Sequence, residues 1–261
     1  MHIYRTLIIA AIAASVSIPA FAKIDDSFTG IPLGGSGELF WVVVDQDGER
    51  SYTRDLGISL QSFLDGAASG GLSFGNDATL NEFLAGTADP AMLVWNIGAL
   101  DGTGIQRYIS TAPVGSELPV FSNLIIATFN DNPDIFLGGT NSVESHLSTA
   151  NGSNIATAAD GTAYAPQNWG ASFGGRAAGF SNYIGINDPA SLILFQQASN
   201  AFTQRFNPGI TTLITNGPLA YSASFDGGAL SITAVPEPGT YAMMGLGLAA
   251  LGVVARRRKA R

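Results

Sequence analysis

Cysteine is absent from the sequence, which excludes disulfide bonds, thiolate metal sites and cysteine nucleophiles. Charge is also scarce: 12% of the 261 residues are charged, and basic residues are outnumbered by acidic ones, 12 to 20. A nucleic-acid-binding protein needs a basic surface, so we expect no nucleic-acid partner.

The chain has two histidines. His146 has no second histidine in the body of the chain to complete a metal site, and we predict that it is a surface residue.

Apolar residues make up 46% of the chain, which argues against disorder and allows a sizeable core. A chain of this length holds one large domain or two small ones. We find no repeat of fixed period and no low-complexity linker, so residues 23–234 are interpreted as one domain. Six basic and 19 acidic residues make this body strongly acidic.

The first 22 residues have the pattern of a secretory signal peptide. A basic residue lies near the N-terminus, and an apolar run follows at 7–16. The small residues Ala20 and Ala22 occupy the positions that signal peptidase recognises before its cleavage site. We therefore predict that the mature chain begins at Lys23. The alternative is an N-terminal membrane anchor, for which the apolar run is short.

The C-terminal end combines an uncharged stretch with a basic tail. Residues 240–255 carry no charge and span about 24 Å as a helix at roughly 1.5 Å per residue, against about 30 Å for a bilayer core. They predict a transmembrane helix. Because basic clusters stay on the cytoplasmic side, the tail would face inward and the body outward. The topology-setting basic residues are Arg256, Arg257, Arg258, Lys259 and Arg261.

A short proline motif precedes the uncharged stretch. Val235, Pro236, Glu237 and Pro238 are followed by the predicted helix and then the basic tail, so residues 235–261 resemble the PEP-CTERM sorting signal of Gram-negative bacteria. The resemblance implies processing by an exosortase, and such systems usually accompany exopolysaccharide production. It also implies an inner-membrane-anchored intermediate and a final place on the cell surface or in the biofilm matrix.

The two prolines have a physical consequence of their own. Each fixes its φ angle, removes a backbone donor and pushes the preceding residue towards an extended conformation. The segment 236–238 is therefore neither helix nor central strand, and an extended chain at the membrane is one that a processing enzyme can grip. The alternative is an ordinary proline-rich stop between a domain and its anchor.

Strand patterns dominate the body. Residues 39–44 form a run of large and β-branched side chains, and residues 50–54 suit the returning strand of a hairpin. Buried strands are also predicted at 92–95 and 124–127. Residues 219–225 and 230–234 alternate around the turn Asp226-Gly227-Gly228, which predicts a second hairpin.

Helical patterns in the body are short. Residues 59–64 and 78–84 show helical spacing and end at glycines, while 190–202 suits a helix whose segment 192–195 is equally acceptable as a strand. The fold class is therefore mainly β: an antiparallel β-sandwich or jelly-roll-like domain with a few short helices.

Two candidate chemistries fail on their own requirements. Residues 170–174 match the G-x-S-x-G nucleophile elbow around Ser172, but no histidine follows that serine, as the elbow needs. Residues 45–48 resemble the start of a Ca²⁺ loop, yet the twelfth position holds Leu56 instead of an acid. We predict no cofactor and no metal. The Ca²⁺ candidates that remain are Asp45, Asp47, Asp131 and Asp134.

Aromatic side chains are the candidate sugar contacts: the three tryptophans, with Tyr108, Tyr164 and Tyr183, could stack on sugar rings if exposed. Trp41 and Trp95 lie in apolar runs and are predicted to be core, whereas Trp169 lies in a loop where its ring could stack on a glycan. The leading hypothesis is a non-enzymatic protein of the cell surface or biofilm matrix. The alternatives are a secreted carbohydrate-binding module for exopolysaccharide, and a secreted glycan hydrolase that uses paired carboxylates.

Overall fold

The computed structural model describes residues 23–25, 37–102, 104–116, 134–143, 146, 149, 151–168, 184–197, 210–213, 220–235 and 246. Within them the chain is mainly β, with antiparallel strands and a few short helical segments. The strands are β1 (Glu38–Asp45), β2 (Arg50–Ser59), β3 (Leu72–Gly75), β4 (Leu93–Asp101), β5 (Arg107–Pro113), β6 (Ser153–Thr157), β7 (Ile184–Gly185), β8 (Pro189–Gln196), β9 (Ile210–Leu213), β10 (Ala220–Phe225) and β11 (Ala229–Val235). The helical segments are α1 (Leu60–Ser62), a π-helical turn at Phe63–Ala67, α2 (Ala78–Ala85), 3₁₀ turns at Pro90–Met92 and Ala158–Ala163, residues 134–140, and Ala165–Asn168.

These strands join into one curled antiparallel sheet. Its hydrogen-bonded order is β3-β11-β10-β8-β5-β4-β1-β2-β6, with β7 added to β4 and β9 added to β8. Strand β4 connects the two halves, since residues 93–98 pair with β1 and residues 99–101 pair with β5. The curl brings β1 against β10, so side chains that are distant in sequence share one core.

Two apolar cores lie on opposite faces of β1. The main core also takes side chains from β10, β11 and α2, and the second is covered by residues 134–140 and by Ile24. A strand covered on both faces has no solvent side, which is why residues 39–44 are apolar without interruption. Alternate residues enter the two cores: Leu39, Trp41 and Val43 the first, and Phe40, Val42 and Val44 the second.

Local sequence signals account for several of these elements. Asp77 caps α2 by accepting a hydrogen bond from the Leu80 N–H at 2.7 Å, and Gly86 follows its end, so the helix predicted at 78–84 is confirmed. The helix predicted at 59–64 is present only as the three residues of α1 and the π-helical turn after it.

The ambiguous segment 190–202 is a strand where the structure describes it. Pro189–Gln196 forms β8, between β5 on one side and β9 and β10 on the other. The helical interpretation of this part is therefore wrong. Tertiary pairing on both edges stabilises the large side chains as a central strand, and no local signal can reveal such pairing.

The predicted fold class is confirmed at the level of a mainly β, antiparallel domain with short helices. Both predicted hairpins form, as β1–β2 and β10–β11, and residues 92–95 lie at the start of β4. The strand predicted at 124–127 lies outside the described residues. In the described part of the chain, no helix is both long enough and apolar enough to cross a membrane. Apart from residue 246, the predicted span 240–255 lies outside that part.

Candidate functional site

The last strand of the sheet runs directly into the proline motif. Strand β11 pairs with β10 to its final residue, where Val235 lies opposite Ala220. On its other side β11 pairs with β3 only as far as Ile232. The side chain of Val235 is 42% exposed. The chain therefore passes from a paired strand to Pro236 with no residue between them.

The other residues predicted for sorting fall mostly outside the described part. This applies to Ala20 and Ala22 of the signal cleavage site, and to all the basic residues of the tail. The segment 236–238 lies outside as well. Lys23, the predicted first residue of the mature chain, is described and exposed.

The residue after Lys23 is already part of the fold. Ile24 is 1% exposed in the second core, and its backbone N–H and C=O both bond to the side-chain amide of Asn141, each at 2.9 Å. The second core therefore includes a residue that lies one position beyond the predicted first residue of the mature chain.

The Ca²⁺ candidates form no metal site in the described residues, and one of them lies outside those residues. Asp45 is buried, and its Oδ1 accepts the Gly48 N–H at 2.9 Å, so it closes the β1–β2 turn. Asp47 is exposed in that turn, Asp134 begins the helical residues 134–140, and Asp131 lies outside the described residues. In the described ranges, no three His, Asp or Glu side chains form a group able to hold a metal ion.

Two of the three tryptophans lie in the core, and the third lies outside the described residues. Trp41 and Trp95 are fully buried, and Trp95 donates its indole N–H to the carbonyl of Gly185 at 3.1 Å. Their predicted place in the core is confirmed. Trp169 and Ser172 lie outside the described residues.

The prediction that His146 is a surface residue is wrong. Its side chain is fully buried, and its Nε2 lies 3.0 Å from Oδ1 of Asn154 on β6. Burial lowers the pKa of His146, so the ring is neutral at pH 7. The sequence analysis missed this burial because the two residues before His146 are polar, whereas its partner Asn154 is supplied by β6.

A pair of carboxyl groups, one half-buried and one buried, lies near the start of the sheet, and sequence reasoning missed it. Glu38 opens β1, and its Oε2 accepts the Asp25 N–H at 2.9 Å. The pKa of Glu38 is raised to about 7, first by burial and then by the charge of Asp55. A carboxyl group in this state exchanges its proton near neutral pH.

Asp55 is the more deeply buried member of the pair, at 1% exposure. Its Oδ1 accepts the Gly57 N–H at 2.7 Å, which closes a bulge in β2 where Gly57 has a φ of +64°. Among the described residues its Oδ2 has no hydrogen-bond partner, and burial raises the pKa of Asp55 to about 6. The only indication of this buried carboxyl group in the sequence was an acidic residue at an inward-facing position of β2. Such deep burial keeps this carboxyl group from a polymer substrate.

These features define a mainly β domain whose last strand continues into a C-terminal processing segment. Comparison with known families shows that residues 234–259 match the PEP-CTERM protein-sorting motif. This confirms the resemblance predicted from the proline motif, the uncharged stretch and the basic tail. The motif implies export through an exosortase-type system, with a membrane-anchored intermediate before processing. No curated protein and no solved structure matches the chain.

Proposed function

We propose that this chain is an exported, non-enzymatic protein of the cell surface or extracellular matrix. In this proposal, signal peptidase removes residues 1–22 and the segment 240–255 then holds the chain in the inner membrane as a helix. An exosortase-type enzyme processes the chain near 236–238 and releases the acidic body to the exterior. The observation that carries the proposal is the match of residues 234–259 to the sorting motif.

The fold supports this order of events. The body ends its last strand at Val235 and has Ile24 packed in its core, so both predicted cuts leave the described sheet whole. A domain that keeps every strand after processing remains stable once it leaves the membrane. The strong negative charge of the body favours solubility and repels anionic lipid surfaces.

The test is the intact mass of the mature protein from a host with the exosortase-type enzyme and from a host without it. We expect a chain that begins at Lys23 in both hosts and loses its C-terminal segment only in the first. Glu237→Gln in the first host tests the motif itself, with Glu82→Gln on exposed α2 as the matched control. A full-length C-terminus in both hosts would contradict the proposal, and fractionation of surface, matrix and medium then gives the destination.

A further inference from the structure

Immediately before the proline motif, strand β11 has an edge that no described strand pairs with, called here the open edge. Strand β3 pairs with residues 229–232 and stops, because Gly71 turns the chain away with a φ of +80° and an N–H bonded to Ala68. Among the described strands, none continues this pairing along residues 233–235. The side chains of Thr233 and Val235 are exposed there. The other edge of the same residues is held by β10.

An open, exposed edge is a surface onto which another chain adds a strand. This one is preformed, since β10 already holds residues 233–235 extended. It is also contiguous with the sorting motif, because the family match begins at residue 234 and so includes Ala234 and Val235 of the edge.

The proline motif by itself offers few backbone donors. Pro236 and Pro238 have no N–H, so Glu237 is the only donor among residues 236–238. In the antiparallel pair with β10, the N–H and C=O of alternate residues point to β10, so along residues 233–235 the other edge presents the N–H and C=O of Ala234. An enzyme that holds its substrate in extended form therefore gains a second backbone donor and a further acceptor from Ala234, directly upstream of the prolines.

We propose that the exosortase-type enzyme binds residues 233–235 by strand addition to this edge, which positions the prolines for processing. This inference rests on the proposed function and adds to it the surface that the enzyme recognises. The substrate is then bound as a folded domain with its terminal strand, and residues 234–235 serve both the sheet and the motif.

The test separates the edge from the motif by inserting three residues between Val235 and Pro236 of the full chain, in a host that carries the enzyme. A flexible Gly-Ser-Gly insertion separates the edge at residues 233–235 from the prolines. A Thr-Val-Thr insertion of the same length extends it with strand-forming residues. Gly-Ser-Gly between the exposed Gly104 and Ile105 is the control for the insertion itself.

Pulse-chase measurement of the processed fraction gives the result. We expect the Gly-Ser-Gly junction variant to be processed about tenfold more slowly, as the loss of one or two backbone hydrogen bonds predicts. The Thr-Val-Thr variant and the control are expected to match the unmodified chain. Equal rates for the two junction variants, whether fast or slow, would overturn the inference. Failure to process the unmodified chain would instead contradict the proposed function.

Discussion

The indole ring of Trp41 meets the ring of Phe225 edge-on, with centroids 4.9 Å apart and planes at 71°. Trp41 lies on β1 and Phe225 on β10, near opposite ends of the hydrogen-bonded order of strands. The contact therefore lies between the two halves of the curled sheet. Tyr52 meets Trp41 from the neighbouring strand at 5.4 Å, which makes the indole the centre of an aromatic cluster.

The first prediction concerns this contact. Phe225→Ala is expected to destabilise the protein by about 3–5 kcal/mol, because it opens a cavity where the two halves meet. Urea unfolding followed by tryptophan fluorescence measures the change. The matched control is Phe74→Ala on β3, whose half-buried ring leaves a smaller cavity and should cost less. Equal costs for the two substitutions would argue against Phe225 as a link between the halves.

The second prediction concerns Asp77, which performs two tasks. Its Oδ1 caps α2 through the Leu80 N–H, and its Oδ2 accepts the hydroxyl of Tyr52 at 2.8 Å. Asp77→Ala is expected to cost about 2 kcal/mol, since it removes a helix cap and the carboxylate that accepts the buried Tyr52 hydroxyl. Asp77→Asn keeps the cap and should cost less in thermal unfolding. A neutral Asp77→Ala variant would show that neither bond stabilises the fold.

The third prediction concerns pH. The pKa of Glu38 rises from an ordinary value of 4.5 to about 7 on folding, so the folded protein holds this proton more tightly than the unfolded chain does. Its stabilising contribution is complete below pH 4.5 and is lost as the pH rises through about 7. Glu38→Gln should therefore reduce the loss of stability between pH 5 and pH 8, measured by urea unfolding.

The comparison of variants isolates Glu38 from other titrating groups. Asp55 shifts in the same direction, whereas the lowered pKa of His146 favours the fold at higher pH. Subtracting the pH profile of Glu38→Gln from that of the unmodified protein leaves the contribution of Glu38. Glu82→Gln on the exposed face of α2 is the matched control for the substitution, and parallel profiles for all three proteins would contradict the prediction.

The fourth prediction concerns Gly37, which precedes β1. A methyl group at this position would overlap the carbonyl oxygen of Leu100 on β4, which is backbone and cannot move aside. Gly37→Ala is expected to lower the melting temperature, because overpacking reduces the free energy of unfolding by about 1–3 kcal/mol or more. Gly75→Ala, where the space is open, is the control and should be close to neutral. A neutral Gly37→Ala would show that β1 and β4 separate easily at this end.

Part of the fold was predictable because the signals are local. Alternation of apolar and polar residues around Asp226-Gly227-Gly228 predicted the last hairpin, and the spacing before Gly86 predicted α2. The uninterrupted apolar run of β1 predicted a buried strand. Its two separate cores could not be predicted, because their other side chains come from distant segments.

The candidate site was likewise predictable only where its sequence signals are local. The sorting motif was readable because proline geometry, uncharged length and terminal basic charge are properties of contiguous residues. The Glu38–Asp55 pair and the burial of His146 were not, and the sequence left the choice between helix and strand at Pro189–Gln196 open. Each depends on neighbours that only the curled sheet supplies.

The sequence by itself determined that residues 234–259 form a PEP-CTERM sorting motif, which implies export. Sorting signals of this kind are local, linear patterns of residues. Only the tertiary structure decided that the motif begins inside a paired strand, with one edge held by β10 and the other left unpaired by the described strands. Strand pairing joins segments far apart in the chain, and its register depends on packing across the whole sheet.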